Sequence, residues 1–172
     1  MVKYLIPTAL IGYFLLISVG LLALGFHWDN YNKPPDQPIA FPHNTHAGKL
    51  GLKCQYCHQY TEKSMQAGIP TVALCMECHK NAAVDRPEVR KLIKYWEDKQ
   101  PIPWAKVHTF RKNANVRFSH KRHIKKGIDC ETCHGKMEVV VKVRPARNFK
   151  MGFCVSCHRA NAASTDCWTC HK

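Results

Sequence analysis

Every cysteine in the chain belongs to a Cys-x-x-Cys-His unit: CQYCH at 54–58, CMECH at 75–79, CETCH at 130–134, CVSCH at 154–158 and CWTCH at 167–171. The ten cysteines leave none over. The spacing of the first two pairs also fits a zinc ribbon, but zinc has no use for the histidine after each pair, and five pairs do not divide into four-cysteine sites. Disulfides would leave those histidines unexplained too, and thioredoxin-like pairs need a βαβ setting that is absent here. Thioether attachment of haem accounts for the whole unit. Two thiols add across two vinyl groups, the intervening pair of residues lets the backbone loop between them, and the next imidazole falls beneath the iron. Five covalently bound haems c are therefore expected, held by Cys54, Cys57, Cys75, Cys78, Cys130, Cys133, Cys154, Cys157, Cys167 and Cys170, with His58, His79, His134, His158 and His171 as iron ligands.

Five irons need five more ligands to be coordinatively saturated. Eleven histidines are present; beyond the motif set they include His43, His46, His108, His120 and His123, which match the demand in number. Two histidines three residues apart cannot easily serve one iron, so the pairs His43/His46 and His120/His123 are each expected to serve two neighbouring haems. Met151, three residues before Cys154, is the rival sixth ligand, with Met65 and Met137 also near motifs. His27 sits beside Trp28 and reads as an interfacial residue.

Residues 4–26 are uncharged and mostly apolar, enough for a tilted helix across a hydrocarbon core of about 30 Å. A cleaved signal peptide is the competing reading, with Lys3 as its positive start, but the run exceeds a signal core of roughly 7–15 residues. The expected organisation is a transmembrane anchor at 1–26, a Pro-rich linker at 27–40 and a pentahaem domain at 41–172. Pseudo-repeats at 41–79 and 118–158 each combine a histidine pair with two motifs, and the fifth motif at 167–171 closes the domain.

Outside the anchor there is no long apolar repeat, so side chains alone cannot supply a packed interior. The expected fold class is a multihaem cytochrome c, mostly irregular and α-helical with the haems forming the core, and few strands. Short helices are expected after the motifs. Residues 85–103 read as one amphipathic helix capped by Asp85, begun by Pro87 and stopped by Pro101 and Pro103, with Val89, Leu92, Ile93 and Trp96 on one face. The net charge of +14 falls to roughly +9 with ferric and roughly +4 with ferrous haems once ionised propionates are counted. The basic excess is thus haem compensation, and no nucleic-acid partner is expected.

The stretches FPHNTH…CQYCH and FSHKRH…CETCH resemble the haem-binding repeats of class III cytochromes c. That resemblance implies that His43 completes the haem of His58 and His120 that of His134. His46 and His123 would cross to the haems of 75–79 and 154–158, leaving His108 for what remains. One membrane helix, five motifs and the run PIPWAKVH…FSHKRH…CETCHG…MGFCVSCHR look like the pentahaem subunit of bacterial alternative complex III. The resemblance implies a menaquinol-oxidising complex in the inner membrane, with the haem domain on the periplasmic side. Its implied partners are an iron–sulfur subunit, a monohaem cytochrome c, and a periplasmic copper protein or cytochrome c as acceptor. An autonomous single-helix quinol dehydrogenase is the alternative, with Asp29, Lys33 and Asp36 as candidate quinol-site residues that equally suit a solvated linker.

Overall fold

The computed structural model describes residues 2–31, 33–110 and 112–171. Two compact units divide at 33/34. The first is a single helix, α1 (Val2–Tyr31), which continues beyond Phe26 through the first residues of the Pro-rich stretch. Within it, Ile6–Trp28 is long and apolar enough to cross a membrane, and its side chains are exposed. Pro7 lies inside the helix. One residue on, the Thr8 hydroxyl donates to the Tyr4 carbonyl at 2.7 Å, an i−4 bond of the kind Ser and Thr make in helices.

The second unit contains short helices joined by irregular segments, with no strand among the described residues; an isolated bridge pairs Val116 with His171. The helices sit on the motifs rather than after them: α2 (Cys54–Cys57), α3 (Val72–His79), α6 (Cys130–His134), α7 (Met151–Ala160) and α8 (Cys167–Cys170). Between the repeats lies α4 (Pro87–Glu97), and α5 (His120–Lys125) carries the second histidine pair. The first pair occupies the start of a short π-helix, Asn44–Lys49, with His43 as its N-cap.

The amphipathic helix is shorter than the sequence suggests. Arg86, not Asp85, is its N-cap, because a turn closed by Arg86 N–H to the Ala83 carbonyl (3.0 Å) holds Asp85 outside. Pro87 begins the first turn as expected. Val89 and Leu92 are buried, whereas Trp96 at the far end of the same stripe is 42% exposed, with Lys80 Nζ 6.0 Å from its ring centre. The helix is tied back to the chain start by Glu88, whose carboxylate accepts from the Ala40 backbone N–H (2.6 Å) and from Lys91 (2.7 Å).

Side chains supply only a small apolar cluster: Ile39, Met76, Leu92 and Ile102, with Val72, Ile93, Tyr95 and Trp104 against it. No described side chain is completely enclosed. The exposed surface totals 13,870 Å², against about 8,600 Å² for a compact protein of this mass. The exposed α1 accounts for part of the difference.

Candidate haem-binding site

Each repeat begins with a phenylalanine, two residues before its first histidine, and the two repeats place these rings alike. Phe41 is edge-on to His43 (centroids 5.0 Å apart, planes at 85°) and stacked on His46 (4.3 Å, 24°). Phe118 is edge-on to His120 (4.9 Å, 89°) and stacked on His123 (4.4 Å, 26°). One repeat achieves this with a π-helix and the other with an α-helix, so the helix type does not determine it. The phenylalanine fixes both imidazole planes at once.

Beyond those rings, the paired histidines face motif histidines. His46 lies 6.1 Å from His79, His120 6.3 Å from His134 with planes only 10° apart, and His123 6.1 Å from His158 (ring centroids). Two metal–nitrogen bonds of about 2.0–2.1 Å, plus about 1.1 Å from each nitrogen to its ring centre, require about 6.3 Å. The three gaps are iron-sized. His43 lies near enough to His58 to feel its charge. His108 packs T-shaped on His134 at 4.5 Å, too close for an iron between those two rings.

The imidazoles are also held in one tautomer. Nδ1 of His46, His58, His79, His120, His123, His158 and His171 each points at a backbone carbonyl: Pro42 (3.0 Å), Gly68 (2.7 Å), Ala82 (2.9 Å), Met65 (2.9 Å), Ser119 (2.8 Å), Ser164 (2.6 Å) and Ala114 (2.8 Å) respectively. A carbonyl only accepts, so the proton sits on Nδ1 and Nε2 keeps its lone pair for a metal. Nδ1 of His43 and of His108 is buried without a partner.

Burial disfavours the charged form of three imidazoles. It lowers the pKa of His43, with help from His58 and His46, and that of His108. Burial, then His108, His120 and His58, pushes His134 down to about 4. Burial also raises the Cys57, Cys75, Cys130, Cys133 and Cys154 thiols. Unpaired thiols beside imidazoles whose Nδ1 is committed to carbonyls are what thioether haem attachment uses. The residues fit the group.

Met151 is 68% exposed at the start of α7, and His158 instead faces His123. Met65 contributes its carbonyl to His120 rather than its sulfur. Asp36 is ion-paired with Lys142 at 2.9 Å, and the Asp29 side chain lies outside the described residues.

Glycine at 68 is dictated by this site. Its φ of +79° is left-handed, and a Cβ there would meet the Tyr60 ring at 2.6 Å. Gly68→Ala is expected to lower stability by about 1–3 kcal/mol through backbone strain and displaced carbonyl. Gly51→Ala, at φ +66° with open space around it, should cost only the strain. Thermal midpoints of the two holoproteins, followed by haem absorbance, test the difference.

An almost strandless fold, a sparse interior and histidines facing across iron-sized gaps define a multihaem electron-transfer architecture. Residues 27–103 match the class III cytochrome c family, and residues 116–172 match cytochrome c7 and related cytochromes c. The chain is 34% identical to cytochrome c3 of Desulfuromonas acetoxidans over 68 residues, which cover 39% of this chain and 97% of that one. It is 28% identical to the multiheme cytochrome c subunit of menaquinone reductase from Nitratidesulfovibrio vulgaris over 188 aligned positions, 90% of this chain and 88% of that one. The chain belongs to the multihaem cytochromes c, whose members carry covalently bound haem c.

Proposed function

We propose that the chain is a membrane-anchored pentahaem electron-transfer subunit of a menaquinone-linked respiratory or photosynthetic oxidoreductase. Each motif holds one haem. His43, His46, His120 and His123 complete the irons of His58, His79, His134 and His158, and His108 completes that of His171. When bound, the haems supply one-electron chemistry. The residues named would hold each haem through two imidazoles, leaving no vacant ligand position for a substrate.

The observation that carries this reading is the three pairs of facing imidazoles 6.1–6.3 Å apart, in which His46, His79, His120, His123 and His158 commit Nδ1 to carbonyls. Saturated irons relay electrons; they do not bind and transform a substrate. The relative named as a menaquinone reductase subunit supports a quinone-linked assembly. The likeness to the alternative complex III subunit supports its specific form: iron–sulfur and monohaem cytochrome subunits on one side, a periplasmic copper protein or cytochrome c beyond. In this reading residues 1–26 anchor a domain that begins at 41 on the periplasmic side, and 27–40 link them.

Rapid mixing of menaquinol with the detergent-purified chain, monitored at the haem bands, tests the assignment. Slow or no reduction is expected from the chain alone, and reduction at turnover rates once its co-purified membrane partners are present. Fast reduction of the isolated chain would instead make it an autonomous quinol dehydrogenase.

A further inference from the structure

In sequence, 75–79 is the motif next to the second repeat. In the fold, several contacts to the second repeat come from the loop just after 54–58. His120 is hung on the loop that follows this first motif: its backbone N–H and its Nδ1 both reach the Met65 carbonyl (3.0 and 2.9 Å), and the Lys121 N–H reaches Ser64 (3.1 Å). The π-helix that His43 caps and that carries His46 packs on Met137–Val139, just past the third motif. There Asn44 N–H donates to the Val140 carbonyl at 2.8 Å, and Gly48 lies against the Glu138 carbonyl so closely that a Cβ would collide with it.

Motif 75–79 has a different setting. Its helix α3 packs on α4, and Met76 enters the apolar cluster with Ile39, Leu92 and Ile102. Its tie to another motif runs to 54–58, where the Tyr56 hydroxyl between the cysteines of one unit donates to Glu77 between those of the other (3.0 Å). The fifth motif belongs to the second-repeat side. Arg117 N–H donates to the Cys170 carbonyl, and Ser164, whose carbonyl holds His158, bonds Thr169 through its hydroxyl at 2.8 Å.

We infer that the haem of 54–58 is the junction between the two repeats and that the haem of 75–79 ends the row. This rests on the reading that each motif holds one haem with the ligands proposed above. Electrons exchanged at the 75–79 end must then pass through the 54–58 centre. Each hop oxidises one ferrous haem and reduces its ferric neighbour.

Electron paramagnetic resonance of the full ferric chain in detergent tests the order. His46→Gly opens the iron of 75–79 and His43→Gly that of 54–58, each producing a high-spin signal that speeds the relaxation of adjacent low-spin haems. The expected result is one perturbed neighbour for His46→Gly and two for His43→Gly. Two for His46→Gly and one for His43→Gly would overturn the order in favour of the sequence order. No high-spin signal from either variant would overturn the ligand assignment itself, and the inference would fall with it. Should a variant not assemble, nuclear Overhauser contacts between haem methyls in the ferrous wild-type chain decide the same point. Contacts from 54–58 to both 75–79 and 130–134 are expected. A direct contact from 75–79 to 130–134, with none from 54–58, would refute it.

Discussion

A chain carrying Cys130→Ser with Cys133→Ser is expected not to accumulate as a folded haem protein, whereas Cys167→Ser with Cys170→Ser should still yield a chain with four haems. The difference follows from what surrounds each motif. The side chains of the second unit bury only a handful of residues, and each buried aliphatic group contributes about 1.5–3 kcal/mol. The covalently held porphyrins must supply the remaining interior. The third motif is central to that arrangement: His134 meets His108, His120 and Phe149. The fifth motif is fastened chiefly by the bridge at Val116 and the hydroxyl of Ser164. Haem-stained gels and the pyridine haemochrome content of membranes measure both variants. Equal accumulation of the two, each with four haems, would show that the interior does not depend on the central porphyrin.

The motifs were legible because their chemistry is local: two thiols and an imidazole within five residues. The histidine pairs were legible for the same reason, since the periodicity of FPHNTH and FSHKRH repeats in plain view. Phe41 and Phe118 were visible as letters but not as parts, because ring stacking on one histidine and edge contact with another is a property of the folded turn. The carbonyls that fix the tautomers could not be found from spacing at all. Met65 serves His120 from 55 residues away, and Ala114 serves His171 from 57. The cap at Arg86 escaped because a local turn outcompeted Asp85, a residue type with high intrinsic preference for that position. Backbone hydrogen bonds decided it, and these depend on where the preceding loop is anchored.

The N-terminal helix should be as sensitive as the third motif, for a different physical reason. Leu16 and Val19 lie near the middle of Ile6–Trp28 and are exposed. Each is more than about 10 Å from either end at 1.5 Å per residue, so if α1 spans the membrane an arginine there carries its charge toward hydrocarbon. Insertion scales put that at about 2.5–3.5 kcal/mol per arginine, and Leu16→Arg with Val19→Arg should therefore cost about 5–7 kcal/mol in all. At 1.4 kcal/mol per tenfold change, membrane insertion would fall by roughly a thousand-fold or more. If α1 is the element that carries the second unit to the periplasmic face, the double variant loses haem as well as membrane attachment, because thioether formation occurs on that side. Leu16→Ala with Val19→Ala should keep both. Carbonate-washed membranes, probed for the chain and stained for haem, separate the possibilities. Wild-type amounts of haem-stained double-arginine chain in the washed membrane would show that α1 does not span. Haem-loaded chain released into the periplasm would show that it directs export without anchoring.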